Sequence, residues 1–326
     1  MNQFGNSFRL SIWGESHGES VGITIDGVPP GISLSEADLE ADLKRRRAGA
    51  AGTTPRRERD LPHILSGLYE GFTTGAPLTI LFANENTQSK DYSSFTHHFR
   101  PSHADRVARV KYNGYNDPRG GGHFSARLTV ALVAAGAVAK RILPTTVQFS
   151  TRLVSVGGEQ DPTRFEEVIH TARAEGDSVG GVVECRIEGI RTGLGEPLFD
   201  SVESIASHLL FSIPAVKGVE FGDGFAVADR RGSENNDPII DAEGRTATNH
   251  AGGIDGGITN GNPIVVRVAF KPTPSIHREQ QPFDTETGAI ETLQIPGRHD
   301  ACIALRGAVV VEAMMAIALT ELVLRA

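Results

Sequence analysis

The chain has 326 residues, a formal net charge of −8 and two cysteines in unrelated contexts. This composition excludes a disulfide framework and a thiolate metal cluster, and its acidic balance argues against a nucleic-acid partner. The N-terminus has no basic-then-apolar leader, and the apolar run at 128–138 is too short to cross a bilayer. We therefore expect a cytoplasmic protein with no membrane partner.

Short strands alternate with helices along the chain. The apolar patterns predict, in order, strands at 8–13, 21–25, 78–82, 181–187 and 264–270, and helices at 36–47, 125–143, 162–175, 202–211 and 303–324. Ser35 is expected to cap the first helix, and Pro144 to end the second.

The second part of the chain resembles the first. Residues 66–78 align without a gap with residues 252–264, sharing three glycines, a threonine and a proline. Residues 26–31 also align with residues 188–193, and these two segments share two glycines. Chance similarity is the alternative, because glycine is enriched to 37 of 326 residues, against a usual share of about 7%.

The repetition predicts how the chain is organised. We expect one domain, 1–326, built of two pseudo-repeats at about 1–145 and 178–326 that are joined by a helical connector. Each repeat would supply a sheet and two helices. The predicted fold is α+β, an internally duplicated β-α-β sandwich with an inner helix layer between two mainly antiparallel sheets.

Two histidines lie in unusual polar settings. The string WGESHG at 13–18 places His17 between a hydroxyl and a glycine, and the string RPSHAD at 100–105 places His103 close to a carboxylate. Free imidazole titrates near about pH 6.5, which suits general acid catalysis at neutral pH. A solvated histidine in a turn is the simpler interpretation. His97 and His98 raise a metal-dependent phosphatase as an alternative, although HExxH is absent.

Basic and glycine-rich segments predict a site for a small anion. Seven lysines and arginines fall within residues 44–59, and arginine recognises phosphate and carboxylate groups through paired hydrogen bonds. A solvated helix face is the alternative for this run. The string RGGGHFSAR at 119–127 offers backbone N–H groups to an anion, but it is neither a P-loop nor a Rossmann fingerprint.

Taken together, these motifs resemble those of the chorismate synthase family. The matching strings are GESHG at 14–18, DGVPPGI at 26–32, DLKRRR at 42–47, FRPSHAD at 99–105, RGGGHFSAR at 119–127, GDGF at 222–225, NHAGGIDGG at 249–257, KPT at 271–273 and GRHD at 297–300. They span nearly the whole chain, and their combination is specific. His123 and Phe124 stand where the family usually has an arginine and a serine.

The resemblance implies a lyase of the shikimate pathway, which supplies aromatic amino-acid biosynthesis. Such an enzyme converts 5-enolpyruvylshikimate 3-phosphate to chorismate and phosphate by 1,4-elimination, and it needs reduced FMN. NADPH would be the indirect reductant, and the absence of a nucleotide fingerprint favours an external flavin reductase. The family also implies a homotetramer. A flavin- or anion-binding module with impaired catalysis is the alternative.

The resemblance assigns roles to individual residues. His17 would protonate the leaving phosphate, His103 would protonate the flavin, and Asp300 would assist removal of the ring proton. The residues implied in substrate binding are Ser16, Arg46, Arg100, Arg127 and Arg298. Those implied in flavin binding are His123, Phe124, Ser125, Pro214, Ala215, Gly256, Lys271, Pro272, Thr273, Pro274, Ser275 and, again, Arg298.

Overall fold

The structure, a computed structural model, describes residues 2–49, 53, 58–86, 95–295 and 299–326. Arg298, which was predicted to bind substrate and flavin, lies outside the described residues. Two antiparallel sheets enclose a layer of helices, so the predicted α+β fold is confirmed.

The first sheet is formed by the N-terminal part of the chain. Its elements are β1 (Gln3–Phe4), β2 (Arg9–Gly14), β3 (Ser20–Asp26), α1 (Glu36–Arg46), β4 (His63–Ser66), β5 (Leu68–Tyr69), β6 (Phe72–Thr73), β7 (Leu78–Ala83), α2 (Asp105–Lys111) and α3 (Thr129–Ile142). Five strands pair in the order β1-β2-β3-β7-β4, and β5 and β6 form a separate hairpin. Alternate residues of β7, namely Leu78, Ile80 and Phe82, are fully buried, so one face of this sheet covers the core.

The second sheet is formed by the C-terminal part. Its elements are β8 (Gln148–Val156), α4 (Phe165–Ala174), β9 (Gly181–Glu188), α5 (Val202–Ser212), β10 (Val216–Phe221), α6 (Gly232–Asn235), β11 (Ile254–Asp255), β12 (Ile258–Thr259), β13 (Ile264–Phe270), β14 (Phe283–Asp284), β15 (Ala289–Ile290) and α7 (Ala304–Arg325). Four strands pair in the order β10-β13-β9-β8. Strand β8 is not among the strands predicted from the sequence.

Helices α3 and α7 form the middle of the sandwich. They pack closely because Gly136 faces Ala313, where a Cβ on the glycine would lie 2.3 Å from the alanine Cβ. α7 is long and apolar enough to cross a membrane, with a mean hydropathy of 2.0, but 83% of its most apolar stretch is buried inside the protein. It is the central core helix in this fold.

The two sheets share one strand order. β2-β3-β7-β4 in the first corresponds to β8-β9-β13-β10 in the second. Equivalent glycines have matching left-handed backbones, with φ of 86° at Gly67 and 82° at Gly253, and 80° at Gly71 and 90° at Gly257. Because glycine tolerates positive φ, these positions fix the path of each hairpin.

Two threonines hold these hairpins in the same way. The Thr73 hydroxyl donates to the Pro29 carbonyl at 2.7 Å and accepts from the Ile32 amide at 2.9 Å. The Thr259 hydroxyl does so with the Arg191 carbonyl and the Leu194 amide, at 2.8 and 2.9 Å. On this basis we propose that the chain is an internal duplication. Strand β8 pairs with β9 in the second sheet, so the second copy would begin with β8 and not at about 178 as predicted from the sequence. The segment carrying α4 would then be an insertion in this copy and not a connector between the copies.

The last helix also binds the start of the chain. The Glu321 carboxylate accepts backbone N–H groups from Asn6, Ser7 and Phe8, at 2.8, 3.1 and 2.6 Å. Burial alone would raise the pKa of Glu321, but these donors and Arg325 lower it below its usual value. The carboxylate therefore stays ionised and anchors the residues that lead into β2.

Candidate active site

In the folded chain, a run of three glycines lies against the two histidines that were predicted to be catalytic. Gly120, Gly121 and Gly122 have φ of 60°, 81° and 54°, a backbone that favours glycine. A Cβ at Gly120 would lie 2.5 Å from Nε2 of His17, and one at Gly121 would lie 3.3 Å from Cε1 of His103. The fold therefore places both imidazoles against consecutive residues of one short segment.

The loop that carries His17 is held from several sides. The Ser16 amide donates to the Gly122 carbonyl at 3.1 Å, and Nδ2 of Asn84 donates to the carbonyls of Glu15 and Gly18 at 3.0 and 2.9 Å. His17 is only 7% exposed, and Ser16 is fully buried. The Ser16 hydroxyl has no partner among the described residues. A buried hydroxyl without a partner is costly, so this atom is poised to bind a polar group.

His103 belongs to a charged network at the start of α2. Its Nδ1 lies 2.6 Å from Oδ1 of Asp105 and 3.0 Å from Nη2 of Arg100. Arg100 also forms a bidentate pair with Asp105, at 2.8 and 2.7 Å, and donates to the Ser275 hydroxyl at 3.3 Å. Burial alone would raise the pKa of Asp105, but its bonds to Arg100 and His103 hold it well below the usual range. Asp105 is therefore a fixed anion that is hydrogen-bonded to Nδ1 of the imidazole.

Two buried arginines share one buried carboxylate. Arg46 and Arg127 both bond to Asp60, Arg46 at 3.1 Å. Burial, together with the nearby charge of Arg306, lowers the pKa of Arg46 to about 9. Burial would raise the pKa of Asp60, but Arg46 and Arg127 lower it. The cluster carries a net positive charge at neutral pH, because the arginines outnumber the carboxylate.

Asp300 lies just before α7 and contacts the first turn of that helix. Nη1 of Arg306 donates to its Oδ2 at 3.0 Å, and Nε of Arg306 donates to the Arg46 carbonyl at 2.9 Å. The side chain of Asp300 is 12% exposed. The arrangement couples the predicted proton acceptor to the arginine cluster.

These groups surround a cavity of about 750 Å³ that is lined by both halves of the chain. Fourteen of the predicted site residues line it: His103, Asp300, Arg46, Arg100, Arg127, His123, Phe124, Ser125, Pro214, Ala215, Lys271, Thr273, Pro274 and Ser275. His17 is not itself a lining residue, but it lies directly behind Gly120, which is. Ser16 and Pro272 do not line the cavity. Gly256 lies elsewhere, in the turn between β11 and β12.

One wall of the cavity has features suited to a flat anionic group. Ala215 has a φ of 74°, which is unusual for a residue with a side chain, and its carbonyl accepts the Lys271 amide at 3.0 Å. Burial and the nearby charge of Lys217 lower the pKa of Lys271. The Thr273 hydroxyl is buried and has no partner among the described residues. This wall offers two cations and an unsatisfied hydroxyl.

The residues that differ from the usual family string take part in the structure. Nδ1 of His123 lies 2.8 Å from the Gly14 carbonyl, and its Nε2 lies 3.2 Å from Oδ1 of Asn2. His123 thus helps to hold the strand that leads to His17. Phe124 is 38% exposed and contacts Tyr112 with ring centroids 6.2 Å apart.

Several residues of this site were not predicted from the sequence. Asn84 joins the His17 loop to Arg127, whose Nε donates to it at 2.9 Å. Asp60 and Arg306 complete the arginine cluster, and Lys217 lines the cavity. Lys217 is two residues after the predicted Ala215, so proximity in the chain could have indicated it. Asp60 and Arg306 carry no such signal.

Comparison with known proteins agrees with these motifs. The family model for chorismate synthase matches residues 8–324. The chain belongs to the chorismate synthase family. A chorismate synthase from Chitinophaga pinensis is 56% identical over 99% of this chain and 97% of its own length, and one from Korarchaeum cryptofilum is 45% identical over 99% and 97%. A crystal structure of chorismate synthase has a TM-score of 0.75 at 28% identity, covering 99% of this chain and 93% of that one.

Membership of the chorismate synthase family makes the chain a lyase of the shikimate pathway. The two alternatives drawn from the sequence, a metal-dependent phosphatase and a module with impaired catalysis, gain no support from the comparisons. Within the described residues there is also no group of three or more histidine, cysteine, aspartate or glutamate side chains that could hold a metal ion.

Proposed function

We propose that the 750 Å³ cavity is where this chain converts 5-enolpyruvylshikimate 3-phosphate to chorismate and phosphate. The observation that carries this proposal is the glycine run: Gly120, which lines a cavity rich in arginine, lies against His17, and Gly121 lies against His103, which lines the same cavity. A substrate with one phosphate and two carboxylates needs such a cationic environment. The 1,4-elimination breaks a C–O bond and a C–H bond, so it needs both an acid and a base.

His17 is the proposed acid for the leaving phosphate. Phosphate that leaves without a proton is a highly charged anion, and expelling it into a largely buried site is costly unless its charge is neutralised. The imidazole is nearly buried behind Gly120, and the Ser16 hydroxyl beside it has no partner in the part of the chain that the structure describes. Both groups can therefore serve an oxygen that approaches past the glycine.

His103 is the proposed proton donor toward the flavin. Because the Asp105 carboxylate accepts a hydrogen bond, we infer that Nδ1 of His103 carries a proton, which leaves Nε2 to exchange the second one. Nε2 lies on the side of Gly121.

Asp300 is the proposed acceptor of the ring proton. Its carboxylate lines the cavity together with Arg46. Three carboxylates line the cavity within the described residues, namely those of Glu58, Asp60 and Asp300. Asp60 is committed to two arginines, and Glu58 accepts the backbone N–H groups of Glu85 and Asn86 at 3.2 and 3.3 Å. Asp300 is therefore the better placed carboxylate to take a proton.

The cavity fits reduced FMN as the cofactor. When bound, reduced FMN supplies electron density that eases cleavage of the C–O bond. The Thr273 hydroxyl, which has no partner within the described ranges, offers a hydrogen bond, and Lys217 and Lys271 offer charge for a phosphate group. Phe124, Pro214 and the residues from Thr273 to Ser275 would line the ring. Gly256, which does not line this cavity, remains a predicted ligand, and so does Arg298, which lies outside the described residues.

We further propose a cytoplasmic homotetramer that receives reduced flavin from an external reductase, with NADPH as the indirect electron source. Large apolar side chains on the surface support self-association, since Phe199 is 90% exposed and Phe225 is 85% exposed. Burying them against other copies would remove this apolar surface from water.

An anaerobic assay tests the proposed function. The chain is mixed with photoreduced FMN and 5-enolpyruvylshikimate 3-phosphate, and release of chorismate and phosphate is followed. We expect turnover by the parent, and a loss of roughly 10²-fold or more in His17→Ala and in His103→Ala. His170→Ala, on the exposed face of α4, is the matched control. Absence of chorismate with the parent chain would refute the proposal.

A further inference from the structure

Three of the arginines predicted to bind substrate lie within the described residues, and all three already have protein partners. Nε, Nη1 and Nη2 of Arg46 donate to Thr129, Asp60 and the backbone at 126–127. The three nitrogens of Arg127 donate to Asn84, Asp60 and the Ala83 carbonyl. Both side chains are at least 96% buried. They are held in place by the protein itself.

Arg100 is committed in the same way. Its Nε and Nη2 donate to the Asp105 carboxylate, and its Nη1 donates to Ser275. Its side chain is 4% exposed. Three of the four arginines that line the cavity within the described residues therefore have every guanidinium nitrogen engaged.

Arg306 is the fourth of these arginines and differs from the others. Its Nε and Nη1 are bonded to the Arg46 carbonyl and to Asp300, but its Nη2 has no partner among the described residues. Its side chain is 22% exposed, more than that of any of the other three. Two bonded nitrogens orient the guanidinium, and Arg306 lines the cavity, so Nη2 is the nitrogen available to a ligand there.

We propose that Arg306 is a substrate-binding residue, which contacts an anionic group of the substrate through Nη2 and positions Asp300 through Nη1. This inference rests on the proposed function. A guanidinium can bond to two oxygen acceptors at once, so the substrate and Asp300 share one cation. Arg306 thereby places the substrate anion and the proposed proton acceptor in a fixed relation.

The backbone bond to Arg46 makes this arrangement specific to arginine. Lysine has one charged nitrogen on a flexible chain and cannot reach the Arg46 carbonyl, Asp300 and the substrate with a planar fork. Arg306→Lys should therefore keep the charge but lose the fixed geometry. Arg306→Gln should lose both.

Calorimetric titration with 5-enolpyruvylshikimate 3-phosphate, without flavin, tests the inference independently of turnover. We expect the dissociation constant of Arg306→Gln to rise about 10- to 100-fold, as for a lost hydrogen bond between charged groups, with Arg306→Lys intermediate. In the anaerobic assay KM should rise in both variants. Arg325→Gln removes an arginine that pairs with Glu321 at the far end of the same helix, so it is the control and should bind as the parent does.

Three outcomes separate the possibilities. Parent-like affinity in Arg306→Gln and in Arg306→Lys overturns the inference and leaves the proposed function standing. Arg306→Gln could bind weakly because it has lost the circular dichroism signal of the folded chain. In that case Arg306→Lys decides, and parent-like affinity in that variant would also overturn the inference. A parent chain that does not bind this substrate shows instead that the proposed function has failed.

Discussion

Gly120→Ala should lower both stability and turnover, because it adds backbone strain and also a clash with the imidazole of His17. A Cβ at this position would lie 2.4 Å from Cδ2 and 2.5 Å from Nε2 of the ring, so the imidazole must move. The new residue would also have a φ of 60°, which costs an alanine about 1–2 kcal/mol. Overpacking adds typically about 1–3 kcal/mol. We expect the free energy of unfolding to fall by the sum, and turnover to fall by roughly 10²-fold.

Gly158→Ala is the matched control for this experiment. Gly158 has a φ of 90°, but no atom lies within 4 Å of its would-be Cβ, so only backbone strain applies. Urea unfolding measures the loss of unfolding free energy in each variant, and the anaerobic assay measures the loss of turnover. The difference between the two variants is then due to the contact with His17. If Gly120→Ala unfolds like the control and retains near-parental turnover, the glycine does not hold His17 in place and the argument from this contact is refuted.

Three further expectations concern other parts of the fold. Asp105→Asn removes the anion beneath His103, so turnover should fall by roughly 10²-fold while the NMR signals of the ring nitrogens shift. Burial would raise the pKa of Glu312, but Arg45 and Lys140 lower it to about 2; stability should therefore be lost as pH falls from about 4.5 to about 2, and Glu312→Gln should flatten this loss in urea midpoints. Thr73→Val and Thr259→Val each leave two backbone groups unpaired, so both should lower unfolding free energy by a similar amount, about 1–3 kcal/mol per buried group.

Much of the fold could be predicted because its apolar patterns are local. The inner layer follows from the apolar periodicity of residues 303–324, which form α7 almost as expected. Strand β8 was missed because its residues are mostly half-buried and polar, as in Ser150, Thr151 and Arg152. Such a strand forms because it pairs with β9, and its own sequence of residue types does not indicate that pairing.

The site was predictable where a recognisable string marks it. Arg100 and His103 lie in one such string and Arg127 in another, and all three line the cavity. Asp60 is a single carboxylate in an irregular segment, and its partners Arg46 and Arg127 are distant in the chain. Sequence cannot reveal that an arginine has its nitrogens occupied, since the partners come from the tertiary fold.

The anchoring of residues 6–8 by Glu321 has a consequence for synthesis on the ribosome. Glu321 is translated more than three hundred residues after the amides that it binds, and α7 also packs against α3 of the first half. A nascent chain therefore carries a hydrophobic surface on α3 without its cover until α7 emerges. Folding must finish after translation of that helix, and chaperones that shield apolar surface should associate with the chain during this interval.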